Sequence, residues 1–178
     1  THANAKLDKE VLLLAKKAGC YFFSYGIESA SPKVLKNMNK KTKIPQLIEA
    51  IKLAEECNIG FGGNLIFGDP AEDETTIDET LQFYAHYCEN VFVFLGILMP
   101  YPGSQLFDYC IQHGLINDKR QFYETIDAKL YNMTSMPDNL FMRYVNFLHM
   151  LEASWLWVKT VNATRIKQTP VKSHYGKV

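Results

Sequence analysis

Three short stretches hold the residue types that could bind a charged ligand with several parts. Gly26-Ile27-Glu28-Ser29 offers an acid two residues past a glycine. Asn64-Leu65-Ile66-Phe67-Gly68-Asp69-Pro70-Ala71-Glu72 offers an amide, a glycine and an acidic turn. Met99-Pro100-Tyr101-Pro102-Gly103-Ser104 offers a stiff turn that ends in a hydroxyl. Each follows a short apolar run and precedes a helical pattern. Glycine and polar residues placed repeatedly just past strand C-termini mark the rim at which βα-barrels bind their ligands.

Glu28 is expected to emerge at that rim, where a carboxylate accepts strong hydrogen bonds from an ammonium group. Alone it reads as a solvated loop acid or a charge at a helix N-terminus. Lys40, one short helix further on, tips the balance, since a lysine for a carboxylate and a glutamate for an amine could grip both ends of an amino-acid moiety. Asn64 stands in an otherwise apolar strand and must be satisfied by neighbours or by a ligand, for which ribose hydroxyls would serve. Gly68 lets a flat ring approach the backbone. Pro70 and Glu72 shape the turn into the next helix, and Glu72 reads equally as a favourable N-terminal helix charge. The Pro-Tyr-Pro-Gly-Ser turn, taken alone, is a sharp βα loop, because each proline fixes φ and removes a donor. No residue is assigned a catalytic role, and none is assigned to a metal.

The four cysteines, Cys20, Cys57, Cys88 and Cys110, are too far apart for ligand pairs at zinc or iron–sulfur spacing. We read them as core thiols in a reducing, cytoplasmic setting. The five histidines show no ligand spacing, and no phosphate-binding Gly-x-x-x-x-Gly-Lys-Ser loop is present. With 47% hydrophobic residues and no net charge, the chain suits a folded core and has no global field that would draw nucleic acid. No apolar run reaches the roughly 20 residues that span a bilayer. Thr1 and the polar residues after it have no leader character, and we read the chain as a segment of a longer protein.

The positioning elements follow from periodicity. Leu7, Val11, Leu14, Ala15 and Ala18 predict a first helix that stops at Gly19. A strand is expected over 20–25 and a short helix over Pro32 to Met38. Thr42 is read as the N-cap of a helix with Ile44, Leu47, Ile48, Ile51 and Ala54 on its apolar face. A second strand is placed at Phe61 to Phe67, and a helix starting at Asp73 or Thr75 with Ile77, Leu81, Tyr84 and Cys88 on one side. Val91 to Leu98 reads as a strand covered on both faces. Ser104 caps a helix that ends at Gly114. This alternation predicts a parallel sheet with right-handed crossovers. From Pro137 a last helix should carry Phe141, Tyr144, Val145, Leu148, Leu151, Trp155 and Val158 on one stripe.

From about residue 5 to residue 125 these motifs, in this order, resemble the radical S-adenosylmethionine (SAM) superfamily. The resemblance rests on Gly19-Cys20, Gly26-Ile27-Glu28-Ser29, Val34-Leu35-Lys36-Asn37-Met38-Asn39-Lys40, Ile66-Phe67-Gly68-Asp69-Pro70-Ala71-Glu72, Glu79-Thr80 and Pro100-Tyr101-Pro102-Gly103-Ser104. It implies an α/β fold, a partial TIM-type (β/α)6 barrel, of which this chain supplies the second half: three parallel strands with helices, plus a C-terminal helix. Residues 1–125 would be that half-barrel, 126–163 a wrapping segment with the C-terminal helix, and 164–178 a basic tail or linker. It further implies SAM and a 4Fe–4S cluster as cofactors and reductive cleavage of SAM to a 5′-deoxyadenosyl radical. By position, Glu28 and Lys40 look like contacts to the methionine moiety, Asn64 like the ribose contact, and Ile66 with Gly68 like neighbours of the adenine.

Departures accompany the match. Ala30 and Ala71 stand where glycine is usual, which makes positive φ expensive there. Lys40 stands where arginine is common. The cluster-binding Cys-x3-Cys-x2-Cys of the family belongs to the first half of its barrel, and it is absent here. The segment alone is therefore expected to be inactive, with the upstream half of its own barrel as its partner and its bared edge prone to dimerise. Within the superfamily the features look most like the cobalamin-binding group of Fe–S oxidoreductases, which would put a cobalamin domain upstream. The alternative is a βα-barrel module that has lost the cluster and binds a ligand or partner without catalysis. The substrate is not legible, and neither nucleic acid nor membrane is expected as a partner.

Overall fold

The computed structural model describes residues 8–168 apart from 90 and 126–128, with side chains as far as 156. Three strands, β1 (Phe22–Glu28), β2 (Gly60–Phe67) and β3 (Phe92–Ile97), form one sheet in the order β1-β2-β3, and both pairings are parallel. Between and around them run α1 (Lys9–Lys17), α2 (Pro32–Asn37), α3 (Ile44–Glu56), α4 (Glu74–Tyr87), α5 (Gln105–Gln112), α6 (Lys119–Thr125) and α7 (Asp138–Gln168). The sheet is not closed, as expected for half of a barrel. No helix among the described residues is long and apolar enough to cross a membrane.

The alternation of residues along the strands sorts the two faces. Tyr25, Ile27, Phe61, Leu65, Phe67, Val93 and Leu95 turn towards the helices and form the main core with Leu47, Ile51, Ala54, Ile77 and Phe83. On α7, Phe141, Val145 and Leu148 join the same core and the partly buried Tyr144 and Leu151 pack against it, which accounts for five residues of the stripe read from the sequence; the side chain of Val158 lies outside those described. Along β3, Trp155 meets Phe92 edge-on at 5.3 Å and Glu152 reaches the Leu95 N–H at 3.5 Å. An edge strand is protected when a helix lies along it.

Several expectations need correction. β3 is not covered on both faces, for Phe92 and Phe94 are 47% and 51% exposed, because an unclosed sheet leaves its inner face bare. On α1 only Leu12 is fully buried, whereas Val11 and Leu14 are exposed; Leu7 lies outside the described residues. The N-cap of α3 is Lys43 and not Thr42, since Pro45 is favoured in the first helical turn and sets the start of the helix one residue later. Helix α7 continues to Gln168, into the segment read as a tail, while 169–178 lie outside the described residues. Asp73 does cap α4, in a reciprocal capping box with Thr76.

The loops are fixed by caps and by one buried network. Helices α1, α2, α3 and α5 end with Gly19, Asn39, Asn58 and Gly114 in left-handed conformation, each followed by the paired backbone bonds of a Schellman motif. Thr80 of α4 lies 3.1 Å from the Ser29 hydroxyl and accepts from the Ala30 N–H, and Ser29 accepts from Ser31 N–H. This network ties the loop after β1 to α4 in a fully buried position. A Thr80→Val variant keeps the shape but leaves buried donors unpaired. We expect it to lose about 1–3 kcal/mol of stability in urea unfolding, against well under 1 for Thr75→Val on the same helix.

Candidate active-site cleft

The site is built at the C-terminal ends of the strands. The loop after β1 turns at Glu28, whose φ is +67°. Ser29 N–H donates to Ile27 C=O at 2.9 Å, so Glu28 is the centre of a γ-turn with positive φ, a rare and strained conformation for a residue with a Cβ. The turn coincides with an irregularity in the β1–β2 register between Gly26 and Glu28. It directs the Glu28 carboxylate back over Gly26, where an added Cβ would stand 2.8 Å from Glu28 Oε1. The glycine is a cradle for the acid.

Lys40 reaches the same point by a different route. Asn39, at +53°, closes the Schellman motif of α2, and Lys40 N–H then donates to Leu35 C=O at 2.8 Å. That fixes the lysine backbone beside the sheet. Lys40 Nζ donates to Glu28 Oε1 at 2.8 Å, and Asn64 Nδ2 of β2 donates to Glu28 Oε2 at 3.0 Å. The three polar residues singled out in the sequence are thus one hydrogen-bonded cluster. Glu28 and Lys40 bond each other, where the sequence suggested two separate ligand contacts. The glutamate is the more buried partner, with 13% side-chain exposure against 31% for the lysine.

A cleft of about 610 Å³ opens over the cluster. Glu28, Lys40 and Ile66 line it, together with Asp69 and Pro70 from the second motif loop and Ser104 from the third. Asn64 does not line it and reaches Glu28 from β2. Gly68 does not line the cleft: it is at φ +106°, and an added Cβ would face Phe141 and Ile97. Its glycine requirement is a backbone one. Gln105, Leu106 and Tyr109 form a wall that sequence reading missed. The available signal was the Ser104 cap, confirmed here by its bond from Phe107 N–H, which places residues 105 and 109 on one helical face beside the rim. Neither Ala30 nor Ala71 adopts positive φ; the left-handed residues of these two turns are Glu28 and Gly68.

The second motif loop rests on buried acids. Asp69 accepts from Asn37 Nδ2 at 2.7 Å and from Ala71 N–H at 2.8 Å, linking the loop to α2, and burial raises its pKa. Glu72 is 1% exposed and accepts a short bond from Gly68 N–H, while its Oε1 has no hydrogen-bond partner among the described residues. Burial pushes its pKa up to about 8, despite the Gly68 bond that opposes the shift, with Asp69 and Asp73 adding to it. Glu72 is a buried acid beneath the loop and not only a charge at the helix end. The remaining reactive groups take no part: Cys57, Cys88 and Cys110 are free and buried, and desolvation lifts the thiols of Cys88 and Cys110 to about 12 and 11. Among the described residues no group of His, Cys, Asp and Glu could hold a metal ion.

An open βα half-barrel with a polar cluster and a cleft at its strand C-termini is the class that fold and site define. The profile of the radical SAM superfamily matches residues 2–84. An uncharacterized methyltransferase of Pyrococcus horikoshii is 32% identical over 145 residues, covering 79% of this chain and 31% of the relative. The bacteriochlorophyllide d C-12(1)-methyltransferase of Chlorobaculum tepidum is 34% identical over 100 residues, covering 56% and 22%. Among solved structures, the radical SAM methyltransferase TsrM of Kitasatospora setae, with tryptophan substrate and a SAM analogue bound, shares the fold at a TM-score of 0.50 and 18% identity, covering 65% of this chain and 22% of that one. Residues 2–84 of the chain belong to the radical SAM superfamily. It spans less than a third of the length of the curated relatives described here.

The buried acid yields a test with a definite sign. Because the folded pKa of Glu72 lies above its unfolded value, the folded state holds the proton more tightly, and its contribution to stability is lost as pH rises towards about 8. Glu72→Gln should remove this dependence. We expect the parent chain to lose stability relative to the variant between about pH 5 and 8, with a slope of at most about 1.4 kcal/mol per pH unit, measured by urea unfolding.

Proposed function

We propose that this chain is the SAM-contacting half of a radical SAM enzyme, and that the cluster-binding cysteines lie elsewhere in the parent protein. One observation carries the reading: Glu28, Lys40 and Asn64, drawn from three separate motif positions, converge in one hydrogen-bonded cluster at the mouth of a cleft built by all three βα loops. The residues fit the amino-acid and ribose parts of SAM. Lys40 donates to a carboxylate, Glu28 accepts from an ammonium or hydroxyl group, and Asn64 both donates and accepts. Gly26 leaves the room in which the glutamate can lie. The residues do not fit a 4Fe–4S cluster, as three of the four thiols are buried in the core.

Ligand binding is then an exchange. The internal Lys40–Glu28 bond opens, and each charged group finds an opposite charge on the ligand, so neither is left buried and unpaired. Ile66 and the apolar wall of Leu98 and Leu106 exclude water from the remainder of the ligand. SAM held by Glu28, Lys40 and Asn64 would, with a reduced cluster from the rest of the parent protein, supply the oxidising power for hydrogen-atom abstraction. The similarity to methyltransferases supports a group-transfer outcome and, with it, cobalamin as an additional cofactor. The upstream half of the barrel is the proposed partner of the bare β1 edge, and a second copy would take its place in the isolated segment. The buried free thiols favour a reducing, cytoplasmic setting.

The test is SAM binding by calorimetry to the full-length, cluster-loaded parent protein. Glu28→Ala and Lys40→Ala should each weaken binding by about tenfold or more, Asn64→Ala by about fivefold, with iron content unchanged. A Glu28→Ala protein that binds SAM as well as the parent would overturn the assignment.

A further inference from the structure

We propose that the inner face of the sheet, directly below the Glu28–Lys40–Asn64 cluster, seats the substrate, and that this substrate is a flat, apolar, multi-ring molecule. The inference rests on the cleft being the SAM site and adds the class of molecule on which the enzyme acts.

The inner face is read from the strand register. Row by row it carries Phe22 beside Gly60, then Ser24 beside Gly62 and Phe92, then Gly26 beside Asn64 and Phe94, then Ile66 beside Gly96. The strand residues in these rows carry no charge, and charged groups meet the floor at Gly26, over which the Glu28 carboxylate and Lys40 Nζ lie. The rings of Phe22 and Phe94 are laid down over glycines. A Cβ added to Gly60 would stand 2.9 Å from Phe22 Cδ2, one on Gly62 only 2.4 Å from Phe22 Cζ, and one on Gly96 2.8 Å from Phe94 Cε1. The glycines thus serve to let aromatic rings lie low on the backbone. Phe22, Phe92 and Phe94 remain 40–51% exposed, and Trp155 stands edge-on to Phe92 at one end.

This surface selects by shape and polarity. A packing helix inserts its side chains between those of its partner, but here the slots above the glycines are already filled by rings. Beyond the Gly26 end, where Glu28 and Lys40 lie, a sugar or phosphate would find only Ser24 and Asn64 to bond with in these rows, because strand backbone groups point along the sheet plane and not out of it. A conjugated ring system loses nothing on such a surface and gains by offset or edge-to-face stacking. Three strands at about 4.8 Å spacing give a floor roughly 10 Å across, more than one six-membered ring can cover. The row of Asn64 belongs both to this floor and to the cluster, so a seated ring lies next to the nucleoside end of the cleft.

Protoporphyrin IX is the probe, titrated into the full-length parent protein and followed by its fluorescence anisotropy, with SAM affinity measured in parallel by calorimetry. Indole serves as the small-ring control. The porphyrin should bind well above indole. Ser24→Lys, which puts a charge on the floor, and Phe94→Ala, which removes a ring, should each weaken it by about tenfold while SAM affinity stays within about twofold. No porphyrin binding, or binding that both variants leave unchanged, would overturn the proposal. Porphyrin binding lost in these variants, together with a Glu28→Ala protein that keeps its SAM affinity, would support the floor and place the failure in the SAM assignment.

Discussion

The left-handed turn at Glu28 is the constraint on which the site depends. A glutamate at positive φ costs of order 1–3 kcal/mol, and a chain keeps such a residue only where its surroundings determine it. Three features do so here. The γ-turn bond from Ser29 N–H closes the loop, the Thr80 network anchors the residues that follow, and Gly26 leaves a space into which the carboxylate can fold. With Glu28 aimed back over the sheet, Lys40 and Asn64 have one common acceptor, and three βα loops become one site.

The surrounding elements serve that placement in a plain physical sense. A Schellman motif ends α2 so that Lys40 arrives beside β1, and Asn37 of the same helix holds Asp69 of the next loop. Glu72 lies beneath that loop and accepts from Gly68 N–H, whose conformation no residue with a Cβ would adopt cheaply. Core packing of β1, β2 and β3 against α3, α4 and α7 keeps the strand ends in register. The face towards the helices carries the stability. The other face, open and floored with glycine and phenylalanine, is left for ligands.

Much of this was legible in the sequence, because strand-then-helix alternation is written in hydrophobic periodicity and Glu28, Asn64 and Ile66 stand in the C-terminal halves of their strands. The parallel sheet, its order and the positions of Glu28, Lys40, Asn64 and Ile66 could be read that way. Other features depend on contacts between distant residues and have no local signal. That Glu28 and Lys40 bond each other, that Gly26 is a cradle and that Gly68 turns away from the cleft are set only by the folded chain. The apolar run of β3 suggested burial on both faces, but apolarity does not reveal whether a sheet closes. Val11 and Leu14 misled for the same reason: a periodic stripe marks a face that can be buried, and here it remains exposed.

The central claim is that SAM is held by an acid whose position is set by the glycine two residues before it. A double-mutant cycle on Gly26 and Glu28 in the full-length, cluster-loaded parent protein measures this directly, with SAM affinity by calorimetry as the readout. If the cradle positions the acid, Gly26→Ala should weaken SAM binding by about as much as Glu28→Ala does, and the double variant should be no weaker than either single one. A Gly26→Ala protein with undiminished affinity, or two effects that simply add, would contradict it.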